Sequence, residues 1–350
     1  MAIPQVLEAL LQARGPSGYE AEASRVWRDA AAAYGEVTTD VLGSSYVRVP
    51  GGGDGPTLAV LGHIDEIGLI VTHIDENGFL AVRRIGGFNA EMLVGQRVTL
   101  MTRGGKIRGV VARRKAKTHG DEKAGAVEID DLDVDIGARD AGEARSLVRP
   151  GDAMVLDGEP FELPNRRLVS RALDNRVGSY VALEVARLVA DAGAPPGDVV
   201  AGALTQEEIG GFAGRAGMTG LRPDVVIVFD VTSSNDVPGA DPREDGVHPL
   251  GSGPAILRGP TMNPRVVDLL VDAAEAEGIP YTLEVAARES MTDADEIHNA
   301  NAGIATAVVS IPLRYMHSPI EVVQLDDIEA CARLAAAFAG KLGPDSSFDR

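Results

Sequence analysis

Two histidines and a series of acids fall in six short segments along the chain: Gly62-His63-Ile64-Asp65, Leu173-Asp174-Asn175, Gln206-Glu207-Glu208, Phe229-Asp230-Val231, Thr292-Asp293 and Met316-His317-Ser318. Imidazoles and carboxylates converging from separate strand ends are the donors of a hydrolytic metal centre that leaves a position open for water. Two ions about 3.5–4 Å apart need a bridging carboxylate and further ligands on each ion, and an ordered set of two His and three acids supplies that number. A lone ion would need fewer.

Each segment also has a plainer reading. His63 and Asp65 are separated by one residue, so on an extended segment they share a face, and Asp65 can hold the ring of His63 from behind; a buried, hydrogen-bonded histidine has the same pattern. Glu207 and Glu208 would be a solvated acidic face on a helix, but at a strand end adjacent side chains diverge, so that one can bind metal while the other addresses water as a general base. Asp174 precedes a helical pattern and could be its N-cap, Asp230 could initiate a turn, and His317 could sit in a loop. His73, His119, His248 and His298 lack the combination of strand end and acidic partner, and read as structural or exposed.

The elements that must position these residues follow from periodicity. Thr57 to Leu61, Val199 to Thr205, Val225 to Phe229 and Ile304 to Ile311 read as buried strands, each followed by a site segment. Helices are predicted at Val6 to Ala13, Glu20 to Ala33, Arg176 to Ala192, Pro264 to Glu277 and Asp326 to Lys341. From about Gly68 to Pro164 the pattern changes to short β-type runs, such as Val98 to Thr102 and Lys106 to Val111 around a turn at Arg103-Gly104-Gly105. The expectation is a mostly parallel α/β domain, residues 1–67 and 165–350, interrupted after its first site strand by a small β-rich domain, residues 68–164. In an open α/β sheet the carboxyl ends of the strands are where sites form.

With 350 residues, 45% of them hydrophobic and 24% charged, the chain can fill a substantial core. A net charge of -19 opposes binding to a phosphate backbone or an anionic membrane surface. The one basic cluster, Arg113-Arg114-Lys115 with Lys117, reads as a solvated loop, so neither nucleic acid nor membrane is an expected partner. A single cysteine, Cys331, excludes an intrachain disulfide and reads as a helix-interior residue. No leader pattern opens the chain and no apolar run approaches a membrane span, which makes the cytoplasm the expected location. There is no Gly-x-Ser-x-Gly elbow and no phosphate-binding glycine loop.

Taken in order, the segments resemble the tetrahedral aminopeptidases, also called the glutamyl- or deblocking-aminopeptidase family of dinuclear metallopeptidases. The resemblance spans nearly the full length. It rests on Gly15-Pro16-Ser17-Gly18, Gly62-His63-Ile64-Asp65-Glu66-Ile67-Gly68, Ala172-Leu173-Asp174-Asn175-Arg176, Gln206-Glu207-Glu208-Ile209-Gly210, Asp230-Val231-Thr232 and Arg314-Tyr315-Met316-His317-Ser318-Pro319. It implies a zinc-peptidase type of fold with helices on both sheet faces and a barrel-like insertion that mediates dimer contacts. It further implies that His63 and Asp230 bind one metal ion, Glu208 and His317 the other, and Asp174 bridges them. Glu207 would be the catalytic base and Asp65 the residue that orients His63. The cofactors would be two divalent ions, Zn or Co, and the reaction removal of amino-terminal residues from short peptides. The family's assembly would be a homo-oligomer, dimers building a hollow dodecamer.

The chain departs from the family where Gly211-Phe212-Ala213-Gly214 follows the glutamates in place of Leu-Arg-Gly, and where Ser290-Met291 rather than a glycine pair precedes Thr292-Asp293. Related deacylases and carboxypeptidases usually carry their extra domain after the metal-binding glutamates. A glycoside hydrolase could use paired carboxylates, but aromatic residues are 4% of the chain and its one tryptophan, Trp27, falls in a predicted helix. A binding or assembly protein that had lost catalysis would lack a ligand, and none is missing. Thr292-Asp293 is expected in a substrate-side loop.

Overall fold

The apolar runs that precede the site segments are buried along almost their whole length, as strands covered on both faces must be. The computed structural model describes residues 3–114 and 126–350, so that Lys115, Lys117 and His119 lie outside the described residues. Leu58–His63 and Val199–Leu204 pair in parallel, with His63 opposite Leu204. Val225–Ser233 lies on the other side of Leu58–His63, but that pairing stops at Val228 and Leu61. Beyond it Val225–Ser233 continues beside Ala305–Arg314, with Asp230 opposite Ser310. The sheet therefore splits at its carboxyl edge, with His63 on one lip and Asp230 on the other.

These four strands are the parallel centre of an eleven-stranded mixed sheet, in which Ala255–Arg258 and Thr282–Val285 form a further parallel pair. The expectation of a mostly parallel sheet holds for this centre and not for the flanks. Ser45–Val49 runs antiparallel to Val199–Leu204 and forms a hairpin with Glu36–Thr39. Glu321–Gln324 returns antiparallel to Ala305–Arg314, because the connection from Tyr315 to Ile320 is too short for a crossover helix. Arg167–Ser170 and Phe161–Leu163 extend that flank.

Helices cover both faces. A Cβ on Gly62 would collide with the backbone of Gly178 and Ser179, so the helix Leu173–Ala192 lies directly on the strand at that point. Tyr46 shares the opposite face with Leu61 through Gly202. Its hydroxyl abuts Gly217 of the helix Phe212–Leu221, which therefore packs on the other side. The amino-terminal helices Gln5–Gln12 and Ala21–Ala31 are anchored by buried Leu7, Leu10, Leu11 and Trp27, and the Trp27 indole N–H donates to Ser179 O at 2.9 Å.

Between Gly68 and Leu156 the chain forms a closed barrel of six strands: Gly68–Ile74, Leu80–Ile85, Leu132–Asp135, Gly105–Arg113, Arg97–Thr102 and Ala153–Leu156. Its apolar core, which includes Leu80, Val98, Leu100 and Val134, is separate from that of the large sheet. The turn expected at Arg103-Gly104-Gly105 is a two-residue hairpin with Thr102 paired to Gly105. The described part of the basic cluster is ion-paired, with Arg114 Nε 2.9 Å from Asp133 and Arg113 3.8 Å from Asp131. Phe161–Leu163, which falls inside the expected β-rich segment, belongs to the large sheet.

Candidate metal centre

His63 ends its strand fully enclosed. Its Nδ1 lies 3.4 Å from Asp65 Oδ1, close enough for ion pairing though off the hydrogen-bond line, and its Nε2 lies 3.1 Å from Asp174 Oδ1. Asp65 does more than back the ring. Its Oδ1 accepts the Glu207 N–H at 3.1 Å, and its Oδ2 accepts the Glu208 N–H at 3.1 Å and the Ser17 hydroxyl. One buried carboxylate thus fixes the histidine and both glutamates in a common frame.

Asp174 owes its freedom to its neighbour. Ala172 is left-handed at φ 55°, and Asp174 and Asn175 are both non-helical, so the helix proper begins after them. The Asn175 Oδ1 accepts the Gly178 N–H at 2.8 Å and its Nδ2 donates to Phe229 O at 2.8 Å. Asn175 is therefore the cap, and the Asp174 carboxylate points at both imidazoles: Oδ1 at His63 and Oδ2 at His317 Nε2, 3.3 Å away. His317 also stands 3.4 Å from Glu208 Oε2. Asp230 Oδ1 completes the opposite side, 4.0 Å from His63 Nε2, while Glu207 Oε2 is 3.8 Å from the same nitrogen.

Two groups of donors result, His63 with Asp174 and Asp230, and Asp174 with Glu208 and His317, each within 4.8 Å. Every residue singled out as catalytic or metal-binding converges here. Thr292 lines the same cleft, and Asp293 is buried behind it.

Glu321 is the residue that pattern reading missed. Its Oε2 accepts the Asp174 N–H at 3.1 Å and its Oε1 the His317 N–H at 2.9 Å, so it braces two of the donors from below. A glutamate opening the apolar strand Glu321–Gln324, four residues after His317, is the signal that could have revealed it. Ser17 and Glu20 were likewise overlooked as supports: Glu20 accepts the Gln206 N–H at 3.2 Å.

The charge balance of these side chains asks for cations. Burial opposes a charge on His63, yet Asp174 and Asp65 outweigh it and hold the ring well above the usual imidazole range. Asp174 and Glu208 raise His317 to about 11. Against the cost of burial, His317 and His63 keep Asp174, and His63 with the Ser17 hydroxyl keeps Asp65, below the ordinary carboxylate range. Five further carboxyls are pushed upward, by burial first and then by neighbouring carboxylates such as Asp174: Glu207 to about 10, Asp293 to about 7, and Glu208, Asp230 and Glu321. Glu208 Oε1 and both Asp293 oxygens are buried with no hydrogen-bond partner. Buried acids in such excess over imidazoles, with orphaned oxygens, fit divalent cations, which supply the counter-charge.

The centre opens into a cleft of about 590 Å³ lined by Gly210, Gly211, Val231, Met291 and Met316 among others. No described helix is long and apolar enough to cross a membrane.

A family model described as M42 glutamyl aminopeptidase matches residues 43–334. The lysyl aminopeptidase of Pyrococcus furiosus is 33% identical over 97% of both chains. Among solved structures, a TET aminopeptidase from the marine sediment archaeon Thaumarchaeota archaeon SCGC AB-539-E09 is 32% identical with a TM-score of 0.91, covering 97% of this chain and 96% of that one. The Pyrococcus horikoshii TET1 peptidase, described as assembling into a tetrahedron or a large octahedral shell, is 26% identical with a TM-score of 0.83, covering 97% of this chain and 99% of that one.

Proposed function

The chain belongs to the M42 glutamyl aminopeptidase family and is a metallopeptidase that removes amino-terminal residues from peptides, and from that premise we propose that it works through two divalent ions with Glu207 as general base. The observation that carries the proposal is Asp174, whose two oxygens each address a different histidine. In this reading His63 and Asp230 hold one ion, Glu208 and His317 the other, and Asp174 bridges. Imidazole and carboxylate donors without thiolate suit Zn or Co.

When bound, the ions would polarise the scissile carbonyl and lower the pKa of a water. The protein's own groups do the rest. Glu207, beside His63 and at the cleft wall, takes the proton of the attacking water and returns it to the leaving amine. Asp65 keeps Glu207 and Glu208 in divergent positions by holding both of their backbone N–H groups. Glu321 fixes the backbone of Asp174 and His317, so neither donor can drift as substrate enters.

The barrel, Gly68 to Leu156 within the insertion expected at 68–164, would carry the dimer contacts, and dimers would assemble into a hollow dodecamer that admits short peptides. The assembly described for the Pyrococcus horikoshii relative supports a homo-oligomer. A cytoplasmic location accords with one cysteine in the whole chain.

Elemental analysis beside steady-state kinetics tests the site. Glu207→Gln is expected to keep its metal while kcat falls roughly 10²–10⁴-fold, and near-normal turnover would remove the base assignment. Asp174→Ala is expected to lower metal content, and an unchanged stoichiometry would remove the bridge.

A further inference from the structure

Two acids from outside the turn that carries Glu207 and Glu208 accept from three successive N–H groups of that turn. Glu20 Oε1 takes the Gln206 N–H at 3.2 Å, and Asp65 takes those of Glu207 and Glu208 at 3.1 Å each. Asp65 lies two residues beyond His63 and so arrives with the strand. Glu20 arrives from the amino-terminal helices, 186 residues before Gln206.

The Glu20 side chain does not serve its own helix. It occupies the N-cap position of Ala21–Ala31, whose side chain ordinarily accepts from the first helical N–H groups, yet it makes no such bond. Instead Oε1 turns back to the Gly18 N–H at 2.6 Å and across to Gln206. The placement is costly: burial first and Asp65 second raise this carboxyl to about 7. Buried acids set beside one another in this way cluster at functional sites.

The segment that presents Glu20 is tied on both sides. Pro16 bridges Glu66, with the Ser17 N–H 3.2 Å from Glu66 O and the Glu66 N–H 3.1 Å from Gly15 O. On the other side the Tyr19 hydroxyl donates to Gly151 O at 2.8 Å, in the turn before the barrel strand Ala153–Leu156.

Gln206 is a residue that needs such support. Its backbone is left-handed, φ 63°, a conformation uncommon for a residue that bears a side chain. Beyond it the turn closes on itself, with the Gly210 N–H 2.8 Å from Glu207 O and the Gly211 N–H 3.1 Å from Gln206 O. The Gln206 peptide therefore sets the direction in which the chain leaves the strand Val199–Leu204. Glu207 is aimed by that direction, and its Oε2 stands 3.8 Å from His63 Nε2.

We infer that Glu20 is a positioning residue for the catalytic base: by accepting the Gln206 N–H it fixes the turn from which Glu207 reaches the attacking water. The inference rests on the role proposed above for Glu207. What the turn needs from Glu20 is the reach of an accepting oxygen. Gln keeps that oxygen and drops the charge, whereas Asp keeps the charge and draws it back by a methylene.

The test sets Glu20→Asp beside Glu20→Gln. It measures kcat and KM on the aminoacyl anilide that wild type cleaves fastest, metal content by elemental analysis, and amide hydrogen exchange of the peptide spanning 206–208. Glu20→Asp is expected to lower kcat about 10–100-fold, as a base displaced by a fraction of an ångström would. KM and bound metal should hold, and exchange across 206–208 should quicken. Glu20→Gln is expected to return both kcat and exchange to near wild-type values. Wild-type kcat in Glu20→Asp, equal losses in the two variants, or a kcat that falls only in step with bound metal overturns the inference and leaves the aminopeptidase standing. Failure of metal-loaded wild type to cleave any anilide strikes the aminopeptidase reading instead, and exchange unaltered by Glu20→Asp strikes the hold on Gln206 whatever the activity.

Discussion

Asp65 shows how much a single side chain can settle. Because it accepts from the backbone N–H of both Glu207 and Glu208, it pins the chain at the point where Glu207 faces His63 and Glu208 faces His317. A different carboxylate offers a test of side-chain electrostatics away from the metal. Partial burial works against ionisation of Asp236, but the Arg314 guanidinium and the Ser234 hydroxyl hold it down to about 2. Since its unfolded value is 3.8, ionised Asp236 stabilises the fold fully above that pH, and the contribution disappears as pH falls through about 2. The stability gap between wild type and Asp236→Asn, from denaturant titrations, should be roughly 1–2 kcal/mol at neutral pH and close to zero near pH 2. A gap independent of pH would contradict the ionic account. At this scale the sequence names residues well and their local duties poorly. Nothing in the letters Asp174-Asn175 says which one caps the helix, and the answer decides whether Asp174 is free to face two histidines.

Elements reach the centre through a buried charge network that adjoins it. Glu66, next in the chain to Asp65, pairs with Arg171 and with Arg176 Nη2 at 3.0 Å, and those guanidiniums donate to Ala13 O and Leu10 O at the end of the first helix. The strand end, the segment before Asp174 and the amino-terminal helix are thereby tied at one point. Glu66→Ala would strand two buried cations and is expected to cost about 3–5 kcal/mol. Arg48→Ala, which breaks an exposed pair with Asp198, is expected to cost under about 1 kcal/mol. Equal losses in denaturant melts would show that burial is not what matters.

The alternation of apolar runs and helical patterns made the parallel centre legible, because strands buried on both faces have no choice of composition. The short flanking strands were not legible: Thr282–Val285, which pairs in parallel with Ala255–Arg258, and the antiparallel Glu36–Thr39 are four residues each and partly exposed. The helix Phe212–Leu221 was hidden for another reason. It contains Gly214, Gly217 and Gly220, which disfavour a helix on their own, and it is held by close approaches of Gly217 to Tyr46 and Gly214 to Asp293.

As a whole molecule the chain leaves apolar surface at the rim of its sheet. The edge strand Phe161–Leu163 is exposed throughout, and Tyr315 and Ile320, in the connection that leads into Glu321–Gln324 on the same flank, are exposed too. An uncovered edge of this kind invites partners, and a closed assembly would cover it. If the dodecamer forms, light scattering will give a mass near twelve times the 36.6 kDa of one chain. A monomer or free dimer at working concentration would refute the cage. Assembly was the part that no spacing of residues could display, since it depends on which surfaces remain open after folding.

The contact of Gly62 with Gly178 and Ser179 bears on how this enzyme could be remodelled in the laboratory. Any side chain on Gly62 would press the helix off the strand, and one on Gly178 would strike Asn175, the residue that leaves Asp174 free. A mutant library could therefore vary the exposed Glu289 and Met291 at the cleft widely, while both glycines returned unaltered from every round. Mutability here runs opposite to intuition: residues that line the cleft are the adjustable ones, and two glycines where strand meets helix set the limit.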